Sequence, residues 1–147
     1  MAAAVNRPGV VERAVTTVEA LTIDAFLDGQ GQSPGLLVKI DTEGADFKVL
    51  DGMKRRLSDC LCTIQIEFFP SLLGLYSDPV GRLLSLALDF EIIHLVHGQS
   101  RRILPNRRSL DHFVAQVGAL PSPATDIFLV PKRLPGAEEL IARIISD

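Results

Sequence analysis

Asp41, Glu43 and Glu67 are the residues whose types and surroundings best suit chemistry. Asp41 ends the apolar run Leu36-Leu37-Val38-Lys39-Ile40, and Glu43 follows two residues on. Glu67 closes a similar run, Thr63-Ile64-Gln65-Ile66, shortly before Pro70. If the two runs are adjacent parallel strands about 4.8 Å apart, their acids converge beyond the carboxyl edge of a sheet. Open α/β sheets bind ligands there. Such a group can accept hydrogen bonds from a cationic or hydroxylated ligand, hold a divalent metal, or take a proton from a nucleophilic hydroxyl. The same spacing suits a plainer arrangement, with Asp41 and Glu43 capping a helix and Glu67 pairing with a surface cation. The alternation Ile64-Gln65-Ile66-Glu67 leaves open which face Glu67 takes.

The remaining candidates carry less. His94 lies mid-strand, where a partly buried, satisfied role is the ordinary one; His97 at the strand end is the better base of the two. Cys60 and Cys62 would share one strand face as packing residues. Gly29-Gln30-Gly31 begins like a dinucleotide fingerprint, but Pro34 stands where its third glycine belongs and a strand follows instead of a helix. The histidines and cysteines show no zinc-site spacing.

These acids need elements to position them. Leu36–Asp41 reads as a strand buried on both faces of a parallel sheet. After the turn at Thr42-Glu43-Gly44, Phe47, Leu50, Met53 and Leu57 recur at helical spacing, with Lys54, Arg55 and Arg56 at the negative end. Thr63–Phe69 is the next strand, so the three elements predict a right-handed βαβ unit. Upstream, Val15–Ala20 suits a short strand, Thr22 an N-cap for a helix through Leu27, and Asp28–Gly35 a loop. Downstream, Asp78-Pro79 opens a helix carrying Val80, Leu83, Leu84, Ala87 and Leu88 on one face. Phe90–Val96 is a third strand, and 99–108 a loop with room for a short strand at Arg102–Leu104. Ser109 caps a helix ended by Gly118. Ile127–Val130 is a last strand, and 137–146 a helix with Leu140, Ile141, Ile144 and Ile145 on one side. Strands alternating with helices predict an α/β fold with a mostly parallel sheet.

Composition fits one globular domain. The 147 residues are 47% hydrophobic and 22% charged, which sets the chain apart from disordered segments. A formal charge of −3 provides no basic field for nucleic acid, and Arg101, Arg102, Arg107 and Arg108 read as a solvated loop. No apolar run approaches the ~20 residues that cross a bilayer, and Met1–Val5 is too short for a signal-peptide core. The two closely spaced cysteines and the lack of a leader predict a reduced, cytoplasmic protein.

The stretch VKIDTEGADFKVLDGM, Val38 to Met53, resembles the most characteristic part of the FkbM-type methyltransferases, in which a strand ends in Lys-Ile-Asp-x-Glu-Gly. Here those residues are Lys39, Ile40, Asp41, Glu43 and Gly44, with Leu50 and Gly52 in the helix that follows. Leu21–Leu27 is similar to the family's Thr-Leu-Asp segment, and Ile64-Gln65-Ile66-Glu67 to its next strand with a typical Glu. The likeness spans roughly residues 15–131. It divides a single domain into a loose lead-in at 1–14, a family-like core at 15–131 and a C-terminal helix at 132–147.

The resemblance implies a partial Rossmann-like class I methyltransferase sheet, from its fourth strand onward, mostly parallel with an antiparallel last strand. It implies S-adenosylmethionine as cofactor and O-methyl transfer to a sugar or other small-molecule hydroxyl. Asp41 and Glu67 become the catalytic candidates and Asp41 and Glu43 the cofactor-binding ones; no metal ligand is assigned. The family's glycine-rich turn after its first strand, and its ribose-binding acid, have no counterpart in this sequence. The expectation is therefore a truncated enzyme that is inactive alone and depends on another copy or on a complementing N-terminal half. The alternative is a non-catalytic α/β interaction module descended from such an enzyme.

Overall fold

The computed structural model describes residues 16–30, 35–59, 61–96 and 99–146. The expected lead-in at 1–14, Pro34, Cys60 and His97 lie outside them.

The first described element is α1 (Ile23–Leu27), capped as predicted by Thr22, whose hydroxyl accepts from Ala25 N at 3.1 Å. The strand expected just before it does not form: Thr16–Ala20 are exposed and irregular. β1 (Gly35–Ile40) follows, then α2 (Asp46–Asp51), α3 (Lys54–Asp59) and β2 (Leu61–Phe68).

Where the periodicity predicts one helix there are two. The chain breaks at Gly52, where Asp24 N donates to the Gly52 carbonyl at 3.0 Å. The Asp24 carboxylate then caps α3, accepting from Arg55 N at 2.9 Å and Arg56 N at 3.0 Å. A tertiary cap thus starts a new helix in the middle of a continuous apolar pattern.

Beyond β2 come α4 (Pro70–Leu73), α5 (Pro79–Leu86), β3 (Phe90–Val96), β4 (Gln99–Ile103), α6 (Arg107–Gly118), β5 (Thr125–Pro131) and α7 (Ala137–Ser146). Asp78 caps α5 by accepting from Val80 N at 3.1 Å. Asn106, not Ser109, caps α6, and it accepts from Ser109 N at 3.0 Å.

The five described strands form one sheet in the order β1-β2-β5-β3-β4. The expectation of a mostly parallel sheet is corrected. β1 and β2 are the parallel pair, while β2–β5, β5–β3 and β3–β4 are all antiparallel. The cause is the position of β5. This last strand runs antiparallel, as the resemblance implied, and inserts between β2 and β3. Those two strands therefore share a direction without touching. β4, expected as loop or short strand, returns beside β3 as a hairpin and adds a further antiparallel pair.

One face of the sheet carries the main core. Ile40, Ile64, Ile66, Phe68, Ile92, Ile127 and Leu129 pack there against Phe47, Leu50, Leu83, Leu110 and Phe113, all at most 5% exposed. A smaller cluster on the other face joins Ile93 and Val130 to Ala137 and Ile141 of α7. The reading of β1 as a strand buried on both faces is overturned: Ile40 is buried, whereas Leu37 is 78% exposed. β1 is an outer strand, and α7 covers the second face of the sheet at β4 and β5, away from it.

Candidate active site at the carboxyl edge

The register decides where the acids go. In β2, Cys62, Ile64, Ile66 and Phe68 alternate into the main core, so Thr63, Gln65 and Glu67 take the opposite face. Ile40 of β1 is the Cα partner of Ile66 and points the same way, which sends Asp41, the next residue, to the face of Glu67. Antiparallel β5 begins at this edge, and Asp126 is the Cα partner of Glu67. Asp41, Glu67 and Asp126 therefore form a row across three neighbouring strands.

Their charges interact. Burial, then the charges of Asp41, Glu43 and Asp126, and a hydrogen bond to Asp41 push the Glu67 carboxyl above its usual range. Like charges at one site resist simultaneous ionisation, so a proton is held at Glu67 to higher pH than on an isolated glutamate. Asp41 is balanced on its other side by Lys39, whose Nζ lies 3.2 Å from Oδ2, with both groups well exposed.

The turn that carries Asp41 and Glu43 is built tightly. Asp46, 1% exposed, accepts from Thr42 N at 3.0 Å and Gly44 N at 3.1 Å, which ties the loop to the start of α2. Neither Asp41 nor Glu43 caps α2, whose N-cap is Ala45 without a side-chain bond. The plain capping role expected of them is therefore not taken, and both acids are exposed. Glu43 adopts φ 54°, a left-handed conformation costly for a side-chain-bearing residue. Gly44 adopts φ 100°, and a Cβ there would lie 2.8 Å from Leu72 Cβ of α4. Only glycine fits this turn.

On the main-core side of the same edge stands His94, 5% exposed. Its Nε2 lies 3.0 Å from Thr125 Oγ1, and its ring meets Phe113 edge-on at 4.8 Å. Burial, with the Arg101 charge second, lowers its pKa to about 4, so the ring is neutral at physiological pH. Its Nδ1 is buried without a hydrogen-bond partner. The satisfied histidine expected from sequence is satisfied on one side only.

Asp126 and His94 are the site residues that sequence reasoning missed or undervalued. Nothing local marks Asp126, because it reaches the row only through the insertion of β5. Among the described residues, no three His, Cys, Asp or Glu side chains are placed to hold a metal ion. No described helix is long and apolar enough to cross a membrane.

A cleft of about 440 Å³ at the opposite edge of the sheet holds Arg82, Lys132 and Arg133. These cations are engaged structurally. Arg82 bonds Asp51 at 2.9 Å, Lys132 the Ala87 carbonyl at 2.6 Å and Arg133 the Leu57 carbonyl at 2.9 Å.

No curated protein and no solved structure matches the chain. The family model described as the methyltransferase FkbM domain matches residues 4–95, a stretch that includes β1, the Asp41–Gly44 turn, β2 and most of β3. The chain belongs to the FkbM methyltransferase domain family.

Proposed function

We propose that this chain forms the acceptor side of an S-adenosylmethionine-dependent O-methyltransferase, and that Glu67 receives the proton of the acceptor hydroxyl. The observation that carries the reading is the row Asp41, Glu67 and Asp126 at the carboxyl edge. The residues present suit the charged end of S-adenosylmethionine, because its ammonium and sulfonium are both cationic and the row is anionic. Asp41 and Glu43 would hold that end. When bound, the cofactor supplies an electrophilic methyl group.

The chain's own part is positioning and proton transfer. Glu67 would take the proton of the acceptor hydroxyl onto its carboxylate as that oxygen is methylated. A base whose pKa is raised accepts that proton more readily. Alignment of the oxygen supplies most of the acceleration.

Cofactor contacts that the family draws from its first strand and glycine-rich turn are not found among the described residues. In the proposal they come from a strand added beside β1, in this polypeptide or another. The outer position of β1 and the exposure of Val18, Leu21, Phe26 and Leu37 at 60–78% support that reading. The same surface also favours the second reading, a non-catalytic module that keeps only the packing.

Calorimetric titration with S-adenosylmethionine separates the two. Alone, the chain should bind weakly or not at all; with a family polypeptide carrying the glycine-rich strand-turn, binding and methyl transfer should appear together. Micromolar binding by the chain alone would overturn the need for an added strand. Absence of transfer in the completed assembly would leave the interaction module.

A further inference from the structure

A cleft of about 1040 Å³ opens on the His94 face of the sheet, between β3, the start of β5 and the end of α6. Its size is at the upper end of small-molecule sites. Leu95, Leu120, Pro121 and Ala124 give it apolar walls, and Arg101 of β4 stands beside them. We infer that this cleft binds a mainly apolar carboxylate, its body against those walls and its charge at the Arg101 guanidinium.

The strand registers sort the charges around the cleft. Arg101 is the Cα partner of His94, and His94 that of Ile127, so all three side chains take the main-core face. Asp126 is the one carboxylate among the described lining residues, and it alternates to the far face, beside Glu67. Burial, and after it the Arg101 charge, leaves His94 neutral at physiological pH. Among the described residues, the lining of the cleft on its own face therefore carries a positive charge and no carboxylate to balance it.

Arg101 is held without being neutralised. Its Nη2 donates to Gln116 Oε1 at 2.9 Å, an uncharged partner, and among the described residues it forms no ion pair. Arg102, next in the strand and on the opposite face, shows the contrast: it bonds Glu138 at 2.8 Å and lies 3.6 Å from Glu91. The Gln116 bond fixes one nitrogen of the Arg101 guanidinium against the last turn of α6 and leaves its other N–H groups as donors. A carboxylate accepts from these in a charge-assisted bond, whereas an amide of the same shape offers a neutral acceptor. One guanidinium matches one negative charge, and apolar walls strip away hydration that a phosphate dianion would keep.

The test is equilibrium binding, followed by ligand fluorescence at neutral pH, of 2-naphthoate and of its neutral isostere 2-naphthamide, with no cofactor present. The wild-type chain should bind the naphthoate about fivefold more tightly, the size of one charged contact open to solvent. Added salt should erode that preference. Arg101→Gln, at an exposed position, should abolish it while leaving the affinity for naphthamide nearly unchanged. Leu120→Asp, at a position 46% exposed, should weaken both probes about tenfold or more. Equal affinities in the wild type, or a preference that survives Arg101→Gln, would overturn the carboxylate assignment; unchanged binding by Leu120→Asp would overturn the location. The side chains of Asp41 and Glu67 lie on the other face of the sheet, so a failed transferase assay leaves each of these results standing.

Discussion

Glu67 and Asp126 face each other as Cα partners across the antiparallel β2–β5 pair, two acids on one side of the sheet with Asp41 next in the row. Evolution toward stability alone would separate such charges, since cross-strand like charges are destabilising. Their juxtaposition has measurable consequences.

Glu67→Gln should abolish methyl transfer in the completed enzyme while stabilising the fold. Because the folded pKa lies above the unfolded one, the native carboxyl favours its protonated form, and this contribution is lost as pH rises through the folded value. The variant should therefore unfold at a higher temperature than wild type near pH 8, with the gap closing toward pH 4. A pH-independent difference would show that the acidic row does not couple to Glu67.

His94 predicts the opposite slope. Its folded pKa of about 4 lies below the ordinary imidazole value of 6.5, so between those values the unfolded chain binds a proton that the folded chain refuses. Stability is fully present above about pH 6.5 and falls as the pH drops toward 4, by on the order of 3 kcal/mol. His94→Phe should flatten that part of the profile in urea titrations. Retention of the full slope would assign it to other groups.

Gly44→Ala should cost about 2 kcal/mol or more, from a left-handed backbone and from the 2.8 Å approach to Leu72. Denaturant unfolding measures the loss. The double variant with Leu72→Ala leaves a Cβ at position 72 and so should recover little. A neutral Gly44→Ala would mean that the turn relaxes and does not fix Asp41 and Glu43.

Leu37→Lys probes the outer strand. Leu37 is 78% exposed, so its replacement should change the stability of the isolated chain by less than about 0.5 kcal/mol. If a further strand docks beside β1, the same change should weaken that association about tenfold or more, read by sedimentation across a concentration series. Unchanged association would place the contact elsewhere.

Much of the positioning was legible in the sequence because it is local. The apolar runs ending at Asp41 and Glu67 are β1 and β2, and the Thr22 and Asp78 caps lie where their side chains reach the next turn. The misses are tertiary. The split of one helix into α2 and α3 depends on Asp24, about thirty residues upstream, and no periodicity records that cap. The run Leu36–Ile40 reads as fully buried by composition, but an outer strand with one uncovered face leaves Leu37 in water. Asp126 looks like an ordinary strand-start acid until β5 is known to enter between β2 and β3. The alternation along β2 left the facing of Glu67 undecided, and only the registers with β1 and β5 resolve it.

That insertion also governs when the protein can exist. β2 and β3 have no direct pairing, and the strand that bridges them is the last to be made. During synthesis, the βαβ unit and the β3–β4 hairpin must wait as separate pieces with uncovered edges until residues 125–131 leave the ribosome. Folding is therefore gated by the C-terminal segment and dominated by contacts distant in sequence, which slows it and lengthens the exposure of Ile64, Ile66 and Ile92 to other chains. Nascent chains halted before Thr125 should be chaperone clients, and release of the final strand should end that dependence in a single step.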